Sequence, residues 1–258
     1  VRKYVLTFFE SWLLGGGILK SQKDRTMRTE SIKLSLSDGE MSAYVAYPEK
    51  SPVGAIIAIM EIWGVDNTMK SHAHEFADAG YICLVPDLFW RLGPDVVLDA
   101  DNPDDWITSL DRYYHFDYDL GAKDMEETMQ YLRNIKGGNG KVGAVGYCLG
   151  GKMCYLMSCR TDIDCAVAYY GTYIEHAISE APNLSQPFML HQALSDTWVP
   201  PAICKFIETK IADKPNVVIH KYPNAEHAFA RHGASSYSAP EAEKALDLSL
   251  SYFDSFLR

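Results

Sequence analysis

Cysteine pairs at metal-ligand spacing are missing from this sequence. Its six cysteines stand at positions 83, 148, 154, 159, 165 and 204, with no C-x-x-C pair and no histidine at ligand spacing beside them. We therefore expect no zinc site, no other metal and no cofactor. Apolar neighbours around Cys83, Cys154 and Cys165 indicate reduced, buried thiols. Such thiols suit a reducing compartment, so we expect a cytoplasmic protein.

Basic residues are also scarce. The chain has 24 Lys and Arg against 34 Asp and Glu, a formal net charge of -10 at pH 7, and no basic stripe along any segment. This balance argues against a nucleic-acid partner. The apolar patch at residues 8–17 is interrupted by Glu10 and is too short to cross a bilayer, so we expect no membrane partner.

Residues 1–26 stand apart from the rest of the sequence as an N-terminal extension. Three interpretations stay open: a non-native or upstream-read extension, a segment that binds a partner surface, or an export signal. For residues 27–258 we predict one domain, because a chain of 258 residues with 47% hydrophobic residues can bury a large core.

Strand-like and helix-like runs alternate along this domain. Strand-like runs occupy 56–60, 81–85, 141–145, 165–170, 187–191 and 217–222, and helix-like runs occupy 72–79, 120–135, 202–212 and 241–257. Such alternation predicts an α/β fold, a mostly parallel sheet with helices on both faces. Residues 32–37 and 42–47, joined through Asp38-Gly39, predict an antiparallel hairpin at one edge. The stretch 93–106 is the longest irregular segment and is predicted to form a lid.

A glycine-rich turn surrounds Cys148. Residues 146–150 read G-Y-C-L-G, between the strand-like run 141–145 and a helix that opens directly after Cys148. This is the strand-to-helix elbow of a covalent nucleophile, with a thiol in place of the usual hydroxyl. Gly146 and Gly150 would let strand and helix approach closely, and the helix N-terminus would favour a thiolate. The alternative for a bare G-x-C-x-G is a buried structural cysteine.

The two partners of such a nucleophile follow in the expected chain order. Asp196 comes after the strand-like run 187–191, and His227 comes after the run 217–222. Alone, Asp196 could be a turn or cap residue and His227 a surface histidine. Their order, spacing and strand context together predict a Cys148-His227-Asp196 triad.

Several further segments carry a family resemblance. They are residues 60–65 (M-E-I-W-G-V), 85–91 (V-P-D-L-F-W-R), the elbow, 169–171 (Y-Y-G), 196–200 (D-T-W-V-P) and 227–231 (H-A-F-A-R). Through them the chain, from about residue 30 to its last residue, resembles the dienelactone hydrolase (carboxymethylenebutenolidase) family. This family is a branch of the α/β-hydrolase superfamily that uses cysteine rather than serine. The resemblance implies an α/β-hydrolase fold and hydrolysis of lactone or ester bonds.

The resemblance also implies roles for residues around the nucleophile. Glu61 would hold the resting Cys148 thiol and help to generate the thiolate when substrate arrives. The backbone N–H groups of Leu149 and Ile62 would form the oxyanion hole. The alternative for Glu61 is an ordinary carboxylate at a strand end.

Two arginines match the positions at which the family binds a substrate carboxylate. Arg91 and Arg231 would form this clamp with charge-assisted hydrogen bonds. The alternative is that either arginine pairs with a carboxylate of the protein itself. Bulky Trp198, Trp63 and Trp90 are expected near the mouth, and an aromatic lining suits planar or hydrophobic acyl groups.

These observations predict an enzyme that cleaves lactone or ester bonds, of the dienelactone type, through a cysteine acyl-enzyme. A broad carboxylesterase or thioesterase without the arginine clamp is one alternative. A ligand-binding module on a hydrolase scaffold is another, and a redox thiol is a weaker third. The expected partner is a small-molecule ester or lactone, and the chain is expected to be a monomer or a homodimer.

Overall fold

The computed structural model describes residues 27–258, and the predicted N-terminal extension lies outside the described residues. An eight-stranded sheet forms the centre, in the order β1-β2-β4-β3-β5-β6-β7-β8. The strands are β1 Arg28–Leu36, β2 Gly39–Tyr47, β3 Ala55–Ile59, β4 Ile82–Pro86, β5 Val142–Tyr147, β6 Cys165–Tyr169, β7 Phe188–Ala193 and β8 Val217–Tyr222. Only the pairings of β2 with β1 and with β4 are antiparallel. The predicted mostly parallel sheet and its edge hairpin are confirmed.

Six α-helices connect and cover these strands within residues 27–258. They are α1 Asn67–Asp78, α2 Pro103–Tyr114, α3 Tyr118–Arg133, α4 Leu149–Arg160, α5 Pro201–Ile211 and α6 Ala239–Leu257. Short 3-10 segments occupy Trp90–Leu92 and Ile174–Asn183. No described helix has both the length and the apolar content that crossing a bilayer requires.

The predicted irregular lid ends earlier than expected. Helix α2 begins at Pro103, and the Asn102 side chain accepts a hydrogen bond from the Asp104 N–H at 3.0 Å. Asparagine before proline is a strong start signal, since the first supplies the N-cap and the second the fixed φ of the first turn. The segment 93–106 is therefore a loop that leads into a helix.

The central strands are buried along their whole length, from β3 through β7. Parallel strands covered by helices on both faces need apolar side chains on both sides, which explains their continuous runs of small and branched residues. All parallel strands end at the same edge of the sheet. Residues directly after β3, β5, β7 and β8 therefore meet there, and each of these four loops carries a predicted site residue.

Candidate active site

The turn after β5 has the geometry predicted for a nucleophile elbow. Cys148 has φ 54° and ψ -112°, a region that non-glycine residues rarely occupy. A Cβ on Gly146 would lie 2.0 Å from the Gly150 carbonyl oxygen, and a Cβ on Gly150 would lie 2.3 Å from the Ile59 carbonyl oxygen. Both glycines are needed because β3, β5 and α4 approach closely at this point.

Backbone hydrogen bonds hold Cys148 in its strained conformation. Its N–H donates to the Tyr169 carbonyl at 3.1 Å, and its own carbonyl accepts from the Gly151 and Thr172 N–H groups at 3.0 and 3.2 Å. Its side chain is buried at 7% exposure. The surrounding strands and helix thus hold the thiol in one position through several independent contacts.

Asp196 and His227 lie together, as their place in the sequence predicts. The Asp196 Oδ2 is 2.7 Å from His227 Nδ1, while its Oδ1 accepts from the Trp198 and Val199 N–H groups at 2.6 and 3.0 Å. These backbone donors fix the buried carboxylate, which in turn orients the imidazole. The second ring nitrogen, Nε2, is left to serve the thiol.

The electrostatics of this pair favour a protonated His227. Burial lowers the pKa of His227, but the charge of Cys148 and the hydrogen bond to Asp196 outweigh it and raise the pKa to about 10. A protonated imidazole at this position can donate a proton to a leaving group in the pocket.

A pair of hydroxyl groups lies near the thiol. The Thr172 Oγ1 is 3.9 Å from the Cys148 Sγ, and the Tyr113 hydroxyl donates to the same Oγ1 at 2.6 Å. Thr172 is therefore free to turn its own proton toward the sulfur. Sequence reasoning missed both residues, although Thr172 directly follows the Y-Y-G segment.

The predicted oxyanion donors lie where strand and helix ends meet. Leu149 is the first residue of α4, where the N–H has no partner inside the helix. Ile62 follows β3 and lines the same pocket as Cys148. Their role as donors to an oxyanion stays a prediction.

Glu61 is in the pocket but has partners other than the thiol. Its carboxylate is buried at 4% exposure; Oε1 accepts from the Tyr170 hydroxyl at 3.3 Å and Oε2 from Arg231 at 2.8 Å. Each carboxylate oxygen can accept a further hydrogen bond, so the role of Glu61 in holding the resting Cys148 thiol stays a prediction.

Arg231 also lines the pocket, between two carboxylates. Besides Glu61 it donates to the Asp66 Oδ2 at 2.6 Å, and its guanidinium lies 5.7 Å from the Trp63 ring centre. Asp66 is buried, and its Oδ1 caps α1 by accepting from the Met69 N–H at 2.9 Å. Sequence reasoning missed Asp66, although it stands one residue after the M-E-I-W-G-V segment.

Arg91 lies outside the pocket, contrary to the expected clamp. Its guanidinium binds both oxygens of Asp124, a buried residue of α3, and both oxygens of Asp38 at 2.7 and 2.8 Å. Trp90, expected near the mouth, stacks on Arg91 at 4.1 Å and donates its indole N–H to Asp124 at 2.9 Å. The 3-10 turn after β4 directs both side chains toward α3, so the alternative of a pairing within the protein holds for Arg91.

The pocket above Cys148 has a volume of about 290 Å³. Trp63, Trp106 and Trp198 form an aromatic wall in which Trp106 meets Trp63 edge-on at 4.6 Å and stacks with Trp198 at 6.5 Å. Trp106 comes from α2, which the sequence analysis did not predict. Trp63 and Trp198 line the pocket as predicted.

Comparison with known proteins agrees with this architecture. A family model described as the dienelactone hydrolase family matches residues 41–257. The chain belongs to the dienelactone hydrolase family. Carboxymethylenebutenolidases of Pseudomonas putida and Cupriavidus pinatubonensis are 33% and 30% identical to it. The alignments cover 88% of this chain and 96% of the first relative, and 79% of this chain and 86% of the second.

Solved structures show the same fold for this dienelactone hydrolase family member. A putative dienelactone hydrolase from Klebsiella pneumoniae superposes with a TM-score of 0.79 at 22% identity, over 88% of this chain and 98% of the other. A dienelactone hydrolase-like promiscuous phosphotriesterase from metagenomic libraries gives 0.76 at 19% identity, over 90% and 99%. The protein therefore has the α/β-hydrolase fold, and its membership of the family identifies it as a hydrolase, both as predicted.

One group of potential metal ligands exists within residues 27–258, apart from the pocket lining. His72, Glu75 and His232 bring their ligand atoms within 4.8 Å of one another. Glu75 already binds His72 at 2.9 Å and His232 at 3.0 Å through separate oxygens. In this dienelactone hydrolase family member the Glu75–His232 hydrogen bond connects α1 to the loop that contains His227, the candidate catalytic histidine.

Proposed function

We propose that this protein hydrolyses ester or lactone bonds, of the dienelactone type, with Cys148 as nucleophile. The observation that carries the proposal is that His227, hydrogen-bonded to the buried Asp196, lines one pocket together with Cys148. A binding module would have no need of a strained cysteine beside a charged imidazole.

In the first step the Cys148 thiolate attacks the carbonyl carbon and forms a C–S bond. The carbonyl π electrons move to oxygen, and the oxyanion takes the place between the Leu149 and Ile62 N–H groups. When the C–O bond to the leaving group breaks, the His227 imidazolium gives its proton to the departing alkoxide or enolate. The product of this step is a thioester on Cys148.

In the second step the same histidine changes its role. Acylation removes the negative charge on sulfur, and that charge is a main cause of the raised pKa of His227. The imidazole, which gave its proton to the leaving group in the first step, therefore stays neutral at neutral pH and can deprotonate the water that attacks the thioester. The C–S bond of the resulting tetrahedral intermediate then breaks, which regenerates the Cys148 thiolate and releases the carboxylic acid product. Asp196 stabilises the imidazolium that forms.

Substrates with good leaving groups fit this chemistry best. A thiolate is itself a good leaving group, so the tetrahedral intermediate returns to reactants unless the other group leaves as readily. Enol lactones and aryl esters satisfy this condition, and amides do not. A broad carboxylesterase or thioesterase is the second candidate, and the pairing of Arg91 with Asp124 and Asp38 favours it because that arginine is not available to substrate.

The test is turnover of a dienelactone and of neutral aryl esters by wild type, Cys148→Ala and Cys159→Ala. Cys159 is a matched control because it is a partly buried free thiol outside the pocket. We expect Cys148→Ala alone to lose turnover, and intact-protein mass spectrometry to trap an acyl group on wild type. Equal turnover by Cys148→Ala would refute the proposal, and no turnover by any variant would favour the binding module.

We also propose a cytoplasmic location, which the free state of all six cysteines supports. The assembly is proposed to be a monomer or a homodimer. Light scattering of the purified protein decides between these two, and a larger mass would contradict both.

A further inference from the structure

We propose that His72, Glu75 and His232 form a binding site for a divalent transition-metal ion, which the donor set matches best to Zn²⁺. One ligand atom from each of these three side chains lies within 4.8 Å of the other two. None of the three residues lines the pocket of Cys148. The role of the ion is structural: it joins helix α1 to the loop that contains His227.

The fold, and not the spacing in the sequence, brings the three ligands together. His72 and Glu75 stand three residues apart in α1, which places both side chains on one face of the helix. His232 lies 157 residues beyond Glu75, in the loop after β8. The sequence-based expectation of no metal rested on local cysteine and histidine spacing, so a histidine from a distant loop could not enter it.

The ligand atoms are already close to the separations found around a bound ion. Glu75 Oε2 is 2.9 Å from His72 Nδ1, and Glu75 Oε1 is 3.0 Å from His232 Nε2. Atoms that surround Zn²⁺ in a tetrahedron at about 2.0–2.1 Å lie about 3.3 Å from one another. The ion therefore needs only small adjustments of the side chains. Each imidazole then turns an unprotonated nitrogen to the ion and carries its proton on the other ring nitrogen.

Packing holds the two imidazole rings in place. The His72 side chain is only 5% exposed, and its ring stacks on Tyr147 with the centroids 4.4 Å apart and 9° between the planes. The His232 ring packs against Tyr237 at 4.9 Å and against His72 at 5.6 Å. Rings that are held before the ion arrives lose little conformational freedom when it binds, which favours affinity.

The donor set determines which ions the site accepts. Two imidazole nitrogens and one carboxylate oxygen suit Zn²⁺, Ni²⁺ and Cu²⁺, whereas Mg²⁺ and Ca²⁺ prefer sets of oxygen ligands. Three protein ligands and one water complete the tetrahedron of Zn²⁺. The Glu75 and His232 side chains are 29% and 42% exposed, so ion and water can reach the site. The net charge of -10 also raises the local concentration of cations.

The test is calorimetric titration of Zn²⁺ into metal-free protein of the full chain that carries Cys148→Ala. This background removes the thiol that could bind zinc together with His227. We expect one Zn²⁺ per chain with a micromolar Kd. At a Zn²⁺ concentration about a hundredfold above Kd, the Tm should rise by about 5 °C or more. Co²⁺ should give the visible absorption of tetrahedral coordination.

Two variants in this background each remove one ligand. His232→Gln and Glu75→Gln should weaken Zn²⁺ binding by about a hundredfold or more, at least the loss seen when an outer partner of a ligand is removed. The new amide at position 232 can still donate to Glu75, so the hydrogen bond between them is not the variable. His115→Gln is the matched control, because this exposed histidine also lies beside a carboxylate, with Nδ1 3.3 Å from the Asp111 Oδ1. It should leave Kd unchanged.

Absence of saturable binding in the Cys148→Ala protein would overturn the proposal, and so would an unchanged Kd in His232→Gln and Glu75→Gln. A loss in His115→Gln as large as that in His232→Gln would assign the binding to scattered surface histidines and would also refute the site. None of these measurements uses ester or lactone turnover. The result for the metal site is therefore independent of the result for the hydrolase proposal.

Discussion

Replacing Cys148 with serine should lower the pKa of His227 sharply. In the wild-type protein the charge on Cys148 and the hydrogen bond to Asp196 raise this pKa from 6.5 to about 10 against the opposing effect of burial. Serine keeps the shape of the elbow but is a neutral hydroxyl at every pH of interest. It removes one of the two raising causes and leaves burial and Asp196 in place.

The size of the effect follows from Coulomb's law. Two unit charges about 4 Å apart attract by about 4 kcal/mol at an effective dielectric constant of about 20. This energy corresponds to about 3 pH units, at about 1.4 kcal/mol for each. The His227 side chain is only 15% exposed, so solvent screens the interaction little. We expect a fall of at least about 2 pH units in Cys148→Ser, which brings the pKa near neutrality.

The measurement is an NMR titration of the imidazole nitrogens between pH 5 and 11, with His227→Gln used to assign the signal among the eight histidines. Asp196→Asn in the Cys148→Ser background should lower the pKa further, because it removes the remaining raising cause. A His227 pKa that stays near 10 in Cys148→Ser would show that the thiolate is not its source. A wild-type value near 6.5 would remove the ion pair from the mechanism altogether.

Three further predictions concern the geometry around the thiol. Gly150→Ala should lower the free energy of unfolding, measured in urea, by about 3 kcal/mol or more, because its Cβ would lie 2.3 Å from a carbonyl oxygen. The control Gly137→Ala, whose Cβ would have no atom within 4 Å, should lower it by about 1 kcal/mol because Gly137 has a positive φ. Equal losses in the two variants would contradict this prediction. Asp196→Asn should lower kcat/KM by about a hundredfold or more, while circular dichroism should show an unchanged fold. A loss below tenfold would show that the carboxylate does not orient His227 for catalysis. Thr172→Val should slow alkylation of Cys148 by iodoacetamide about tenfold at pH 7, because it removes one hydrogen bond worth about 1.4 kcal/mol. An unchanged rate would show that Thr172 does not stabilise the thiolate.

Local patterns in the sequence were sufficient for the fold and for the core of the candidate site. The glycines around Cys148 predict the elbow because close packing of strand and helix depends on residues within a few positions of each other. The loops of Asp196 and His227 could be placed because parallel strands all end at one edge of a sheet. Helix α2 was missed, although Asn102 and Pro103 mark its start.

Which carboxylates bind the two arginines, in contrast, was decided only by the tertiary structure. Arg91 matches the family pattern, yet it binds Asp124, 33 residues away, and Arg231 binds Asp66, 165 residues away. A motif specifies which side chain stands at a position but not which charge the folded chain brings beside it. Because electrostatic energy depends on distance and burial, the sequence alone determined the triad candidates and their order, and the three-dimensional packing determined which carboxylates surround each arginine.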